Sequence, residues 1–168
     1  MSLITAVNDL TGDIRFEGKD DGVEFFGGTV NVNYVSVVNA QDDSIDWTEG
    51  YYGTITNAHV LHGAEHDKGI EADGYNTDIG NNSSPIFWSK PTVTNLTIIG
   101  NGSSTGNEAI RLRAGTQGIF TNVLLEGFTL QVKNDTGEAF ADTDFLSGIG
   151  NGTGTDFASW GAGWTVGN

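Results

Sequence analysis

Thr56-Asn57-Ala58 with the apolar pair Val60-Leu61, followed by Lys68-Gly69-Ile70-Glu71-Ala72-Asp73-Gly74, is the stretch that decides the fold, because both halves recur. The first half returns as Val32-Asn33-Tyr34, Thr94-Asn95-Leu96 and Thr121-Asn122-Val123, each leading into an apolar run. Its asparagines are 24, 38 and 27 residues apart. The second half returns as Val23-Glu24-Phe25-Phe26, Ile45-Asp46-Trp47-Thr48 and Ile110-Arg111-Leu112-Arg113, with glycines close by. Its leading apolar residues Val23, Ile45, Ile70 and Ile110 are 22, 25 and 40 apart. Apolar residues alternating with polar ones, bounded by glycine, read as short strands. A unit of roughly 22–27 residues with two or three such strands is the size of one coil of a β-solenoid.

Both long intervals contain the same excess, which places one inserted loop at residues 75–90, rich in Asn, Ser and Gly. The expected fold is all-β: a right-handed parallel β-helix of about six coils, forming one domain over 1–168. Trp160-Gly161-Ala162-Gly163-Trp164-Thr165-Val166 suggests an aromatic C-terminal cap over 157–168. The N-terminal end shows no matching cap, as expected of a piece of a longer chain.

Composition agrees with this fold and narrows the function. Of 168 residues, 25 are Gly, 19 Thr and 15 Asn, which disfavours helical bundles. Seven Lys and Arg stand against 22 Asp and Glu, a net charge of −15, so nucleic acid and anionic lipid would be repelled. The chain has no cysteine, hence no disulfide framework, thiolate metal site or thiol nucleophile. No apolar run approaches a membrane span, so no membrane insertion is expected. Met1-Ser2-Leu3-Ile4 opens no recognisable signal peptide.

Strand alternation assigns faces. If Val23, Ile45, Ile70 and Ile110 point inward, so do Phe25, Trp47, Ala72 and Leu112. Glu24, Asp46, Glu71 and Arg111 then form one outward column, with Phe26, Thr48, Asp73 and Arg113 beside it. Like charges stacked about 5 Å apart repel unless compensated. Glu24, Asp46, Glu71 and Asp73 are therefore candidate ligands for a hard cation such as Ca²⁺. The Asn33, Asn57, Asn95 and Asn122 column is expected to be structural: Asn tolerates the left-handed conformation of a sharp corner and bonds along the stack.

Asp21, Asp42 and Asp43 come from adjacent coils and one face, a set suited to general acid/base chemistry on a glycosidic bond. Arg111 and Arg113 lie further along that face, where they can hold an anionic sugar. Tyr51, Tyr52 and Trp88 are candidates for stacking on sugar rings. His59, His62 and His66 crowd one coil as weak metal candidates, and Gly148 to Asp156 reads like a single calcium-binding glycine repeat.

Asp21 within Lys19-Asp20-Asp21-Gly22, then Gln41-Asp42-Asp43, then Arg111-Leu112-Arg113, is similar to the ordered motifs of polygalacturonase-type β-helix glycoside hydrolases. That resemblance implies an acid and base among Asp21, Asp42 and Asp43, and substrate binding by Arg111 and Arg113. The family's glycine-flanked histidine has no counterpart here, His66 being the nearest. Over most of its length the chain also resembles uncharacterised secreted bacterial β-helix proteins, often lipoproteins, of the pectate-lyase-like superfold. The residues carrying this likeness are Val23 to Val30, Asp42 to Trp47, Gly69 to Gly74 and Gly163-Trp164-Thr165. It implies a bacterial secreted or cell-surface location.

Three functional readings follow. The first is a non-catalytic extracellular domain engaging polysaccharide or cell-surface glycan, with Ca²⁺ at the acidic column. The second is a carbohydrate-active hydrolase or lyase acting on an acidic polysaccharide. The third is a purely structural adhesin or filament solenoid whose coil ends self-associate end to end.

Overall fold

A computed structural model describes residues 9–11, 19–75, 88–102, 108–135 and 152–163. Among the described residues ten strands run in chain order: β1 (Asp9–Thr11), β2 (Val23–Phe26), β3 (Asn31–Val38), β4 (Ile45–Thr48), β5 (Thr54–Leu61), β6 (Ile70–Asp73), β7 (Thr92–Ile99), β8 (Glu108–Arg113), β9 (Ile119–Glu126) and β10 (Leu130–Asp135). One helical turn, α1 (Phe157–Trp160), follows. Odd strands build one five-stranded sheet, β1-β3-β5-β7-β9, and even strands the other, β10-β8-β6-β4-β2. All pairings are parallel. Each coil thus gives one strand to each sheet before the chain climbs to the next. This is a right-handed parallel β-helix, the hand that parallel crossovers take. Five coils are stacked among the described residues, against about six expected. No helix there is long and apolar enough to cross a membrane.

The inward columns follow the expected phase. Val23, Ile45, Ile70 and Ile110 stack in register, and so do Phe25, Trp47, Ala72 and Leu112. All eight are buried. The first sheet adds Val32–Ile55–Val93–Phe120, Val35–Ala58–Leu96–Val123 and Val37–Val60–Ile98–Leu125. Column members differ in bulk so that coils interdigitate: Trp47 rests between Phe25 and the small Ala72. Its indole Nε1 donates to Thr116 Oγ1 at 3.0 Å, which satisfies the one polar atom that this core tryptophan brings inside.

The long odd strands bend in the middle, and one left-handed residue per coil makes the bend: Tyr34, Asn57, Asn95 and Asn122, with φ between 55° and 62°. Across the bend the inward phase restarts after three residues, from Ile55 to Ala58, instead of two. The Asn side chains form the expected ladder. Asn57 Nδ2 donates to Asn33 Oδ1 at 3.0 Å, Asn95 Nδ2 to Asn57 Oδ1 at 3.0 Å, and Asn122 Nδ2 to Asn95 Oδ1 at 2.7 Å. One member departs from expectation. Asn33 pairs with Thr56, so Tyr34 takes the left-handed position of that coil while the Asn33 amide still closes the ladder.

Of the loop expected over 75–90, residues 76–87 lie outside the described set. Its return is built into the wall. Ser89 Oγ accepts from Gly50 N and Tyr51 N and donates to Gly74 O. Trp88 lies flat on Gly115, where a Cβ would stand 2.8 Å from the indole and φ is +73°. The expected cap needs correction over its described residues, 157–163. Phe157 stacks on His59 of β5, and Trp160 meets Tyr34 of β3. This segment runs across the outer side of the first sheet instead of over the end of the stack.

Replacing Asn95 with Ala removes two ladder bonds and forces a Cβ residue without a local hydrogen bond into the left-handed region. The expected cost is about 2–4 kcal/mol. Asn95→Gly loses the same bonds but not the backbone preference, so it should be less destabilised by about 1 kcal/mol. Urea denaturation of the two variants checks this, and equal losses would show that the bend conformation carries no cost.

Candidate functional site

The outward side of the second sheet carries the ionisable columns. Glu24, Asp46, Glu71, Arg111 and Lys133 are in register along β2, β4, β6, β8 and β10. Phe26 pairs with Thr48, and Asp73 with Arg113 and then Asp135, on the neighbouring track. Just before the strands, a second acidic group forms at the turns. Asp21, Asp43 and Lys68 each stand two residues ahead of the first strand residue of their coil. Asp21 Oδ1 accepts from Asp43 N at 3.1 Å, and Asp43 Oδ1 from Lys68 N at 2.8 Å. These two aspartates thus tie each turn to the next coil.

Carboxylate oxygens converge in three overlapping trios, Asp20/Asp21/Asp42, Asp21/Asp43/Asp46 and Asp42/Asp43/Asp67, each within 4.8 Å. The stacking thereby gathers Asp21, Asp42, Asp43 and Asp46. Asp43 is only 4% exposed, and Asp46 Oδ1 is buried with no hydrogen-bond partner. Glu24 and Asp46 have no ion-pair partner among the described residues.

Proton affinities respond accordingly. Burial first, then repulsion by Asp21, Asp43 and Glu24, pushes Asp46 up to about 9. Burial and then Glu71 push Asp43 to about 8, against the Lys68 N–H and ammonium. Burial, with Asp21 and Asp20, lifts Glu24 to about 7. Asp21 reaches about 6 because burial outweighs the Asp43 N–H it accepts. Near neutrality Asp46 and Asp43 therefore carry protons while Asp21 is largely ionised. The trios offer oxygen donors of the type a hard cation takes.

Further up the stack, bases end the repulsion. Arg113 makes a bidentate pair with Asp73, at 2.8 and 2.9 Å, and a further pair with Glu71. Lys68 is paired with Asp67 and lies 3.7 Å from Glu71. Arg111 pairs with Asp135 at 3.3 Å, and Lys133 with the same carboxylate at 2.9 Å. Arg111 and Arg113 are thus engaged with the protein's own acids, as are two of the expected cation ligands, Glu71 and Asp73.

The aromatic candidates divide. Tyr51 is fully buried, stacked on Phe25 at 4.5 Å with its hydroxyl donating to Val30 O. Trp88 is 8% exposed. Both are wall and core residues, which corrects their assignment as sugar platforms; Trp88 packs on Gly115, and Ser89 next to it bonds to Gly50, Tyr51 and Gly74. Tyr52 is 52% exposed and remains at the surface. The histidines do not converge: His62 stacks on His66 at 4.2 Å, and His59 lies under Phe157. Of the glycine-rich repeat, 148–151 lie outside the described set, and Asp156 spends its carboxylate on Ser159 N and Oγ.

Sequence reasoning missed Asp20, Asp67, Lys68 and Phe26. Lys68 was legible from its position two residues before a strand, shared with Asp21 and Asp43. Phe26 is 40% exposed in the outward phase beside Glu24, an aromatic where strand alternation puts polar residues.

A family model described as a pectate-lyase like beta helix domain matches residues 7–145, and the chain belongs to that family. No curated protein and no solved structure matches the chain.

A carboxyl whose folded pKa exceeds its unfolded value stabilises the fold at low pH, and that stability is lost as pH rises through the interval between the two. For Asp21, Glu24, Asp43 and Asp46 the interval runs from their ordinary values of 3.8 and 4.5 up to between about 6 and 9. His59 and His62, pulled down to about 4 by burial, act oppositely, losing stability as pH falls below 6.5. With four acids against two histidines, cation-free protein should be less stable at pH 9 than at pH 6. Urea midpoints across that range test this; a flat or rising profile would contradict the proton-holding acids.

Proposed function

We propose that the outward side of the second sheet engages polysaccharide, and that the protein works as a non-catalytic β-helix domain in the secreted or surface-attached material of a bacterium. The observation that carries this is the registered polar row. Glu24, Asp46, Glu71, Arg111 and Lys133 repeat at the strand spacing along one half-exposed face, with exposed Phe26 at its lower end. A polymer of repeating sugars meets such a row with repeating hydrogen-bond partners, and an aromatic at one end supplies an apolar platform. Membership of the pectate-lyase-like family supports a polysaccharide-related role at the level of the fold. A net charge of −15 favours glycan over nucleic acid or anionic membrane.

The non-catalytic reading rests on what the aspartates already do. Asp21 and Asp43 each give an oxygen to a backbone N–H of the next coil, as turn formers do. Ca²⁺ is the ion for the Asp21/Asp43/Asp46 trio, joining ionised Asp21 and replacing the protons that Asp43 and Asp46 otherwise hold. Glycan binding is tested on an array of acidic and neutral polysaccharides. Binding should be retained by Tyr51→Phe and weakened about tenfold by Phe26→Ala, roughly 1.4 kcal/mol. Silence across the array would overturn this reading and leave the structural solenoid, whose end-to-end association sedimentation detects. For the ion, Ca²⁺ at about a hundred times its Kd should raise the thermal midpoint by about 5–10 °C relative to chelator. Equal midpoints would remove Ca²⁺ from the account.

One observation favours a second reading, glycoside hydrolysis. Asp43 at about 8 beside Asp21 at about 6 separates a proton donor from a proton acceptor at neutral pH. Release of reducing ends from polygalacturonate and related polymers, abolished by Asp43→Asn, would establish it in place of the non-catalytic role.

A further inference from the structure

We propose that residues 152–163 form an acid-released strap across the first sheet, latched on β5 by the neutral imidazole of His59. From Gly152 onward the chain runs down the stack. Gly152 N donates to Val123 O at 3.2 Å. Asn122 Oδ1 accepts from Thr153 N at 2.7 Å and Gly154 N at 3.2 Å, and its Nδ2 donates to Gly154 O at 2.9 Å. One strand further down, Thr155 N donates to Thr97 Oγ1 of β7 at 3.0 Å. Phe157 then lies flat on His59 of β5, ring centroids 3.8 Å apart and planes within 3°. Trp160 closes the run. It packs edge-on to Phe157 and reaches Tyr34 on β3, while its Nε1 donates to Thr155 Oγ1 at 2.7 Å. The strap thus touches four strands in succession and covers the outward column Ser36–His59–Thr97.

His59 is the one titratable member of that column. It is 5% exposed, and its Nδ1 is buried without a hydrogen-bond partner. Ser36 faces it from β3 with a hydroxyl that is also unbonded, Thr97 faces it from β7, and Phe157 covers it from the strap. None of these is charged. The strap's acid, Asp156, is committed to Ser159. Protonation would put a charged N–H at Nδ1, which has no hydrogen-bond partner here and no carboxylate beside it. Attraction of the cation to the Phe157 ring offsets only part of the cost of a buried charged donor left unbonded. Lifting the strap hydrates the ring, so acid favours the lifted state. Burial alone accounts for the low proton affinity of His59, near 4 against an ordinary 6.5, with no carboxylate compensating it.

The latch holds above pH 6.5 and weakens as pH falls towards 4, the two proton affinities of the lifted and docked imidazole. That separation corresponds to strap opening about a hundredfold more often at pH 4 than at pH 7. Amide exchange of Gly154 and Thr155 across this range, corrected for intrinsic rates, reads it directly. The proposal expects their protection to fall by that factor while Val60 and Ile98 in the strands beneath stay protected. His59→Gln, neutral at every pH, should keep the strap docked at pH 4. Unchanged protection in the native protein, release in His59→Gln at the same pH, or equal loss at Val60 and Ile98 would each overturn it. If His59→Gln does not fold, the imidazole titration of the native protein decides instead. Its midpoint should coincide with that of strap exchange and move towards 6.5 in Phe157→Ala; a separate or unmoved midpoint contradicts the latch.

Discussion

Every side chain in a stack of parallel coils has its equivalent about 4.8 Å above and below it, and this repetition governs the rest of the molecule. Like is laid upon like. Apolar columns profit, since Val23, Ile45, Ile70 and Ile110 bury one another in sequence. Amide columns profit too, because Asn carries both donor and acceptor, and Asn57, Asn95 and Asn122 bond up the stack. The same asparagines adopt the left-handed bend of β5, β7 and β9, so there one residue type meets a backbone need and a side-chain need together. Carboxylates alone lose by repetition, and the second sheet shows how the loss is limited.

Two devices limit it, at different heights in the stack. In the upper coils a base takes the next place: Arg113 above Asp73, Arg111 above Glu71, and Lys68 at the position of Asp21 and Asp43. These pairs leave little cationic charge for an anionic ligand. In the lower coils Asp46 is followed by another acid, Glu71, and burial with Glu71 outweighs Lys68 at Asp43, so both hold protons instead. The face is therefore polar but uneven, self-neutralised above and proton-holding below. That unevenness distinguishes it from a merely solvated acidic surface, where carboxylates remain ionised and apart.

The fold was legible because its signal repeats. Alternation within Ile70-Glu71-Ala72-Asp73 fixes inward and outward phases, and recurrence at Val23, Ile45 and Ile110 fixes which residues share a column. The site was legible only as far as that phase reaches. It brought Glu24, Asp46 and Glu71 into line correctly, but ion pairing is a matter of side-chain reach. Whether Arg113 faces solvent or turns back onto Asp73 is set by a neighbour forty residues away. Tyr51 and Trp88 were misread for a related reason. They lie in turns, where alternation gives no phase, and Ser89 draws the chain inward there through bonds to Gly50, Tyr51 and Gly74. The C-terminal segment read as a cap from its aromatics, yet the Asn122 amide takes its start along the side of the stack.

Stacked carboxylates hold protons here because the coil geometry takes them out of water and packs them among other acids. Carboxyl carbon chemical shifts of Asp43 and Asp46, followed by NMR through a pH titration in chelator, test this most directly. The account predicts midpoints near 8 and 9, with Asp21 titrating near 6. Midpoints for Asp43 and Asp46 at the ordinary aspartate value near 3.8 would contradict it.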